Sequence, residues 1–234
     1  MKSIQIDPRW RVQLEGDADD IADLERALNG SAADPGSYVI YHWEDVPTLT
    51  TIAWDHFSEP QQAEAAARSA LKLFGGLLSL YNLCGPISTG TVYEVLGNGR
   101  FHMTRTTELT IRVKPPEEDR IAPAAFARVM SLVDDSSWLA SALIELNGDT
   151  DWFDVYRAIE AIEARFNHSE QKMKNSPLID GPRLKLVKQT ANAVRHLPSE
   201  KHRAPEPPIH IHTAVQDVKA AIIALINFEI NRQL

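Results

Sequence analysis

KPPEED, residues 114–119, is where the sequence changes character: two prolines and four charges stand within six residues. Pro115 and Pro116 cannot donate to a β-ladder, and a charge run resists burial, so this stretch is the predicted domain boundary. Before it the sequence alternates apolar and polar residues or carries β-branched and aromatic clusters. After it, apolar residues recur every three or four positions. The change of period predicts an α+β chain, with residues 1–116 as an α+β domain of about five strands and two helices and residues 117–234 as an all-α helical bundle.

Working back from the boundary, residues 101–113 and 91–96 read as paired strands around the turn GNG (residues 97–99). The alanine-rich EPQQAEAAARSALKLFGGLLSLY, residues 59–81, places Ala63, Ala66, Ala67, Ala70, Leu71, Phe74, Leu77, Leu78 and Tyr81 on one face and predicts a long helix. Gly75 and Gly76 within it allow either a close neighbour or a kink. Residues 38–43 and 49–54 predict a hairpin around EDVP (residues 44–47). DADDIADLERALNG, residues 17–30, predicts a short amphipathic helix with acids in its first turn and Gly30 as its stop. Ile4, Ile6, Trp10, Val12 and Leu14 alternate with polar residues as in a half-buried strand, which Pro8 places at an edge or breaks.

Beyond the boundary, helices are predicted over residues 123–133, 137–146, 151–166, 183–196 and 214–232. The last has Thr213 and Gln216 in capping-box spacing and Val215, Val218, Ile222 and Leu225 as its core stripe. The intervening loops contain NGD, NSPLIDGP and HLPSEKHRAPEPP.

The 234 residues carry a net charge of −8 and are 44% hydrophobic, as in a globular protein able to bury a core. Cys84 is the single cysteine, which excludes an internal disulfide and a thiolate-built metal site and fits a reducing cytosol. The polar, alternating start is unlike a secretory signal, and no unbroken run of 18 apolar residues occurs. A cytoplasmic protein without a membrane partner is expected. Charge is unevenly placed: residues 1–118 hold 10 basic against 17 acidic residues, whereas residues 165–203 hold nine basic and three acidic, a local +6. An acidic partner such as RNA would bind there.

Within that basic stretch, LKLVKQTANAVRHLPSEKH (residues 184–202) puts Val187, Ala191 and Val194 on one helical face and Lys188, Asn192 and Arg195 on another, with His196 next. A guanidinium clamps phosphate and an imidazole moves protons near neutral pH, the minimum for cleaving RNA without a metal. The same Arg and His could instead cap the free carbonyls of a helix C-terminus.

DWFDVYRAIEAIE (residues 151–163) together with QTANAVRH (residues 189–196), a Pro-rich loop and a final apolar helix resembles the C-terminal helical region of HEPN-type proteins. The resemblance covers roughly residues 137–232, and uncharacterised bacterial proteins join such a region to an N-terminal α+β part. Members of the superfamily are helical, often dimeric, and frequently metal-independent endoribonucleases of toxin–antitoxin and antiviral systems; some have lost catalysis. Their hallmark, an Arg and a His separated by four to six residues, is matched by Arg195 and His202, with six residues between them. The resemblance implies catalysis by Arg195, His196 or His202, and Asn192. Lys185, Lys188, Lys201 and Arg203 would bind substrate, no metal or cofactor is called for, and the protein would be a homodimer. The alternative is a non-catalytic interaction protein that dimerises through its helical half and binds a protein partner or small signal through its acidic half.

Other constellations point less strongly to chemistry. His210 and His212 would share a direction on an extended segment, with His202 as a third metal ligand. Asp151 with Asp154, and Glu160 with Glu163, lie one turn apart; among these Glu160 is expected to be the partly buried one, paired with an arginine. Cys84 lacks a base and reads as structural. Trp10, Tyr38, Tyr41, Trp43 and Trp54 read as core.

Overall fold

The computed structural model describes residues 8–30, 37–43, 45–81, 85–96, 101–104 (backbone only), 122–147, 150–195, 205 and 209–232. The predicted boundary at residues 114–119, the turn at 97–99, Cys84, and His196, Lys201, His202 and Arg203 lie outside these residues. The layout is α+β, as the sequence predicts, and the chain forms two compact units: residues 1–74 with 81–127, and residues 75–80 with 128–234.

The first unit is built on a five-stranded antiparallel sheet. Its strands are β1 (Trp10–Glu15), β2 (Val39–Trp43), β3 (Val46–Thr50), β4 (Ser88–Val95) and β5 (Phe101–Thr104), in the order β2-β3-β1-β4-β5. Val12 at the centre faces Leu49 on one side and Val92 on the other, and all three are buried. Helix α1 (Ala18–Asn29) begins where Asp17 accepts from the Asp19 N–H and ends at Gly30, with Ile21, Leu24 and Leu28 buried, as predicted. Asn29 fixes α1 to β2 by donating to the Ile40 carbonyl (3.0 Å) and accepting from the Ile40 N–H (2.9 Å).

The second hairpin strand starts earlier than predicted. Val46 and Pro47 pair with Trp43 and His42, while Ile52–Trp54 forms a 3-10 turn capped by Thr51. Pro47 is tolerated because β3 pairs with β1 only from Thr48 onward, so no neighbour needs the missing N–H. Asp45 takes φ 68°, which Asp accepts more readily than most residues.

Helix α2 (Pro60–Leu80) is continuous through Gly75 and Gly76. Helices α3 (Pro123–Asp135), α4 (Ser137–Glu145), α5 (Trp152–Arg165), α6 (Glu170–Lys174), α7 (Gly181–Arg195) and α8 (Ile211–Arg232) follow. In the helical unit α5 is central, packing against α4, α6, α7 and α8. Its Val155, Ile159 and Ile162 are buried together with Leu143, Val187 and Ile222. The two glycines allow close approach: a Cβ on Gly76 would lie 1.8 Å from the Leu143 carbonyl oxygen. Nearby, Ser79 donates to the Leu146 carbonyl (2.9 Å), satisfying a buried acceptor at the end of α4.

Helix α6, capped by Ser169, is too short to have shown a periodic pattern in the sequence. Helix α8 begins two residues before Thr213, so the predicted capping box does not form. By length and composition α8 is apolar enough to cross a membrane, with a third of that window buried in this fold. Asp151 and Asp154 do form a capping box on α5, each carboxylate accepting from the other's backbone N–H.

Candidate functional site

The most distinctive surface of the helical unit lies between α5 and α7. Positions 153, 156 and 163 share one face of α5, and positions 188, 192 and 195 share one face of α7, so two helical stripes meet. Their side chains form three layers along the helices.

At the inner layer, Lys188 Nζ donates to Glu163 Oε2 (2.6 Å). Glu163 is 8% exposed, and its second oxygen, Oε1, has no hydrogen-bond partner among the described residues. Glu160, expected to be the buried member of this pair, is exposed instead. Three residues turn an α-helix by about 300°. That rotation sets Glu163 beside buried Ile159 and Ile162 and carries Glu160 away from them.

In the middle layer, the half-buried Tyr156 ring lies 5.2 Å from Lys188 Nζ and 4.0 Å from the Arg195 guanidinium carbon. At the outer layer, the Phe153 ring is 4.7 Å from the same guanidinium and is 46% exposed. Arg157 approaches Phe153 from its own helix (5.7 Å) while pairing with Glu145 (2.9 Å). Half-buried Asn192 stands three residues, just under one turn, before Arg195 on the same stripe.

Arg195 differs from every other cation on α7. Arg183 Nε donates to Asp217 (2.7 Å), Lys185 pairs with Glu170 (2.9 Å) and Lys188 with Glu163. Elsewhere in the basic stretch Arg165 Nε donates to Glu229 (2.8 Å). Carboxylates from α5, α6 and α8 thus neutralise much of the +6 counted in the sequence. Among the described residues Arg195 meets no carboxylate and caps no carbonyl; its contacts are the faces of Tyr156 and Phe153. With no carboxylate or carbonyl partner among the described residues, its N–H donors are available to an anion.

No family model, curated protein or solved structure matches the chain. The chemistry of the site therefore rests on its own geometry. Of the eight predicted site residues, Asn192, Arg195, Lys188 and Lys185 lie on α7, with the two lysines engaged by carboxylates; His196, His202, Lys201 and Arg203 lie outside the described residues. Val194, placed with the core face in the sequence reading, is 58% exposed, because the buried stripe runs through Leu184, Val187, Thr190 and Ala191. Phe153 and Tyr156 were not singled out from the sequence, and Glu163 was read only as the partner of Glu160 one turn away. Their signal was the spacing of three and seven residues along α5, which matches the spacing of 188, 192 and 195 along α7.

Lys185 holds the Glu170 carboxyl below its ordinary range through their hydrogen bond, outweighing the opposing effect of burial. Burial raises Asp154 above the usual carboxylate range. His212 lies in the first turn of α8 with His210 just before it, so the extended spacing of a two-histidine ligand pair does not form. Among the described residues no three His, Cys, Asp or Glu side chains converge as metal ligands.

A second concavity, of about 500 Å³, belongs to the α+β unit. It is lined by Ile21, Pro47, Glu15, Asp45, His42 and Glu25, with His42 Nε2 and Glu25 Oε2 3.0 Å apart.

Proposed function

We propose that the protein is a metal-independent endoribonuclease of HEPN type, acting in the bacterial cytosol as a homodimer in defence or toxin–antitoxin biology. The supporting observation is Arg195, stacked on Tyr156 and Phe153 with no carboxylate or carbonyl partner among the described residues. An arginine needed only for packing or capping would use its donors on the protein; this one keeps them for a phosphate.

In this reading Arg195 holds the scissile phosphate, oriented with Asn192. His196 or His202 removes the proton from the ribose 2′-hydroxyl. The 2′-oxygen bonds to phosphorus, the bond from phosphorus to the 5′-oxygen breaks, and the departing oxygen takes up a proton. The products are a 2′,3′-cyclic phosphate and a 5′-hydroxyl. The test is incubation with total RNA and tRNA in EDTA beside an Arg195→Ala control. Cleavage by the parent alone supports the proposal, and cleavage that EDTA abolishes counts against it.

A second reading, a non-catalytic interaction protein, has its own support. Val194 and Leu186 are exposed apolar residues on α7, and the acidic cleft of the α+β unit is large enough for a small signal molecule.

A further inference from the structure

We propose that the concavity of the α+β unit is a binding site for a small organic cation, an ammonium or guanidinium group carried on an apolar body. The site goes beyond the ribonuclease reading and does not depend on it.

Three elements of one unit build the cavity. Positions 18, 21, 22 and 25 lie along one side of α1, and the β2–β3 hairpin, in which His42 pairs with Pro47, supplies the opposite wall. Leu14, near the end of β1, forms the floor with Ile21, and both are buried. Ala18 and Ala22 stand on the α1 wall and are exposed; as alanines they leave unfilled the room that a longer side chain would take. The volume that results, about 500 Å³, lies in the range of small-molecule sites, roughly 300–1,000 Å³.

Charge selects the ligand. Glu15, Glu25 and Asp45 line the cavity, and no lysine or arginine does so among the described residues. Glu25 meets His42, whereas the carboxylates of Glu15 and Asp45 have no hydrogen bond or ion pair among the described residues. Glu15 is placed by shape instead: a Cβ on Gly90 would lie 2.5 Å from its Oε1, so the missing side chain at 90 gives the carboxylate its position. An anion is repelled here, and the start of α1 does not attract one, since Asp17 caps it and Asp19 and Asp20 follow in its first turn. A metal ion is not matched either, because no three acidic or histidine side chains among the described residues converge to hold one. Carboxylates spread around an apolar floor suit a ligand that buries a hydrocarbon body and donates hydrogen bonds from its cationic end to the rim.

The test follows the amide NMR shifts of the isotope-labelled full chain at neutral pH during titration with benzylamine and tryptamine, each beside its neutral counterpart, benzyl alcohol or tryptophol. The amines should move the amides of Gly16, Ala22 and His42 and bind about tenfold more tightly than the alcohols. The double change Glu15→Gln/Asp45→Asn, in which asparagine tolerates the φ of 68° at position 45, should lose about that tenfold on the amines and leave the alcohols unchanged. Ala22→Leu should weaken both by filling the cavity, with amide shifts away from the site showing that each variant keeps the fold. Amines that bind no better than alcohols, amine binding that survives Glu15→Gln/Asp45→Asn, or no movement of the three amides would overturn the site. RNA cleavage by the parent bears on the ribonuclease reading alone, so the two proposals fail separately.

Discussion

Replacing Lys188 by Met is expected to destabilise the helical unit by about 3 kcal/mol, because it leaves a carboxylate buried without its cation. Lys188 and Glu163 side chains are 19% and 10% exposed and meet at 2.6 Å, so both charges are largely out of water. Glu163 Oε1 already lacks a partner among the described residues, and the substitution would leave Oε2 without its cation as well. Loss of one member of a buried pair costs about 3–5 kcal/mol, and the residual exposure of Lys188 sets the value at the low end. Glu163→Gln alone should cost about 1–2 kcal/mol, since a lysine stem can carry its ammonium toward water. The double change Glu163→Gln/Lys188→Met should recover most of the loss, giving a coupling energy well above the range of surface pairs. Urea titrations followed by far-UV circular dichroism would measure all four proteins, with equal slopes confirming comparable unfolding. A Lys188→Met cost below about 0.5 kcal/mol, or a double variant no more stable than Lys188→Met, would refute the reasoning.

Three further outcomes follow from the packing and charge. Gly76→Ala should destabilise by about 2 kcal/mol or more, because its Cβ would meet the Leu143 backbone, which cannot rotate away; a neutral result in thermal unfolding would contradict that close approach. Asp151→Ala removes the acceptor for the Phe153 and Asp154 N–H groups and should cost about 1 kcal/mol, measurable as a lowered urea midpoint. Glu170 titrates below its ordinary 4.5 in the folded protein, so its contribution is present above pH 4.5 and fades as pH falls through the lowered folded value. The stability difference between parent and Glu170→Gln should therefore shrink on acidification below pH 4.5, and a constant difference across that range would rule out the Lys185 contact as its source.

The helices of this fold were legible because their buried faces repeat. Ala63, Ala67, Ala70, Phe74 and Leu77 mark α2 in the sequence and are buried in the structure, while Ala66 and Tyr81 of the same predicted face are half-buried. Asp17 and Gly30 fix the ends of α1 by local chemistry alone. Strand β3 was less legible, since Pro47 reads as a turn residue until the partial pairing with β1 shows that its missing N–H is not required. The site was legible on one side only. The cations of α7 stand in a recognisable row, but which of them keeps its charge available depends on carboxylates of α5, α6 and α8, at sequence separations from 15 residues (Glu170 and Lys185) to 34 (Arg183 and Asp217). Glu163 and Glu160 look equivalent in AIEAIE, and only the helix rotation relative to Ile159 and Ile162 tells them apart. Tyr156 and Phe153 acquire meaning when α7 brings Arg195 over them.

We propose the Arg195 guanidinium, which meets no carboxylate or carbonyl among the described residues, as a phosphate-binding group. Its most direct test is the rate of single-turnover RNA cleavage in EDTA for the parent, Arg195→Ala and Arg195→Lys, with the fragment ends identified. The account predicts fragments ending in 2′,3′-cyclic phosphate from the parent and a loss of about a hundredfold or more for Arg195→Ala. Arg195→Lys should recover only part of the rate, because an ammonium keeps the charge but loses the planar stack and the forked donors. Equal cleavage by parent and Arg195→Ala, or no cleavage by the parent, would contradict it.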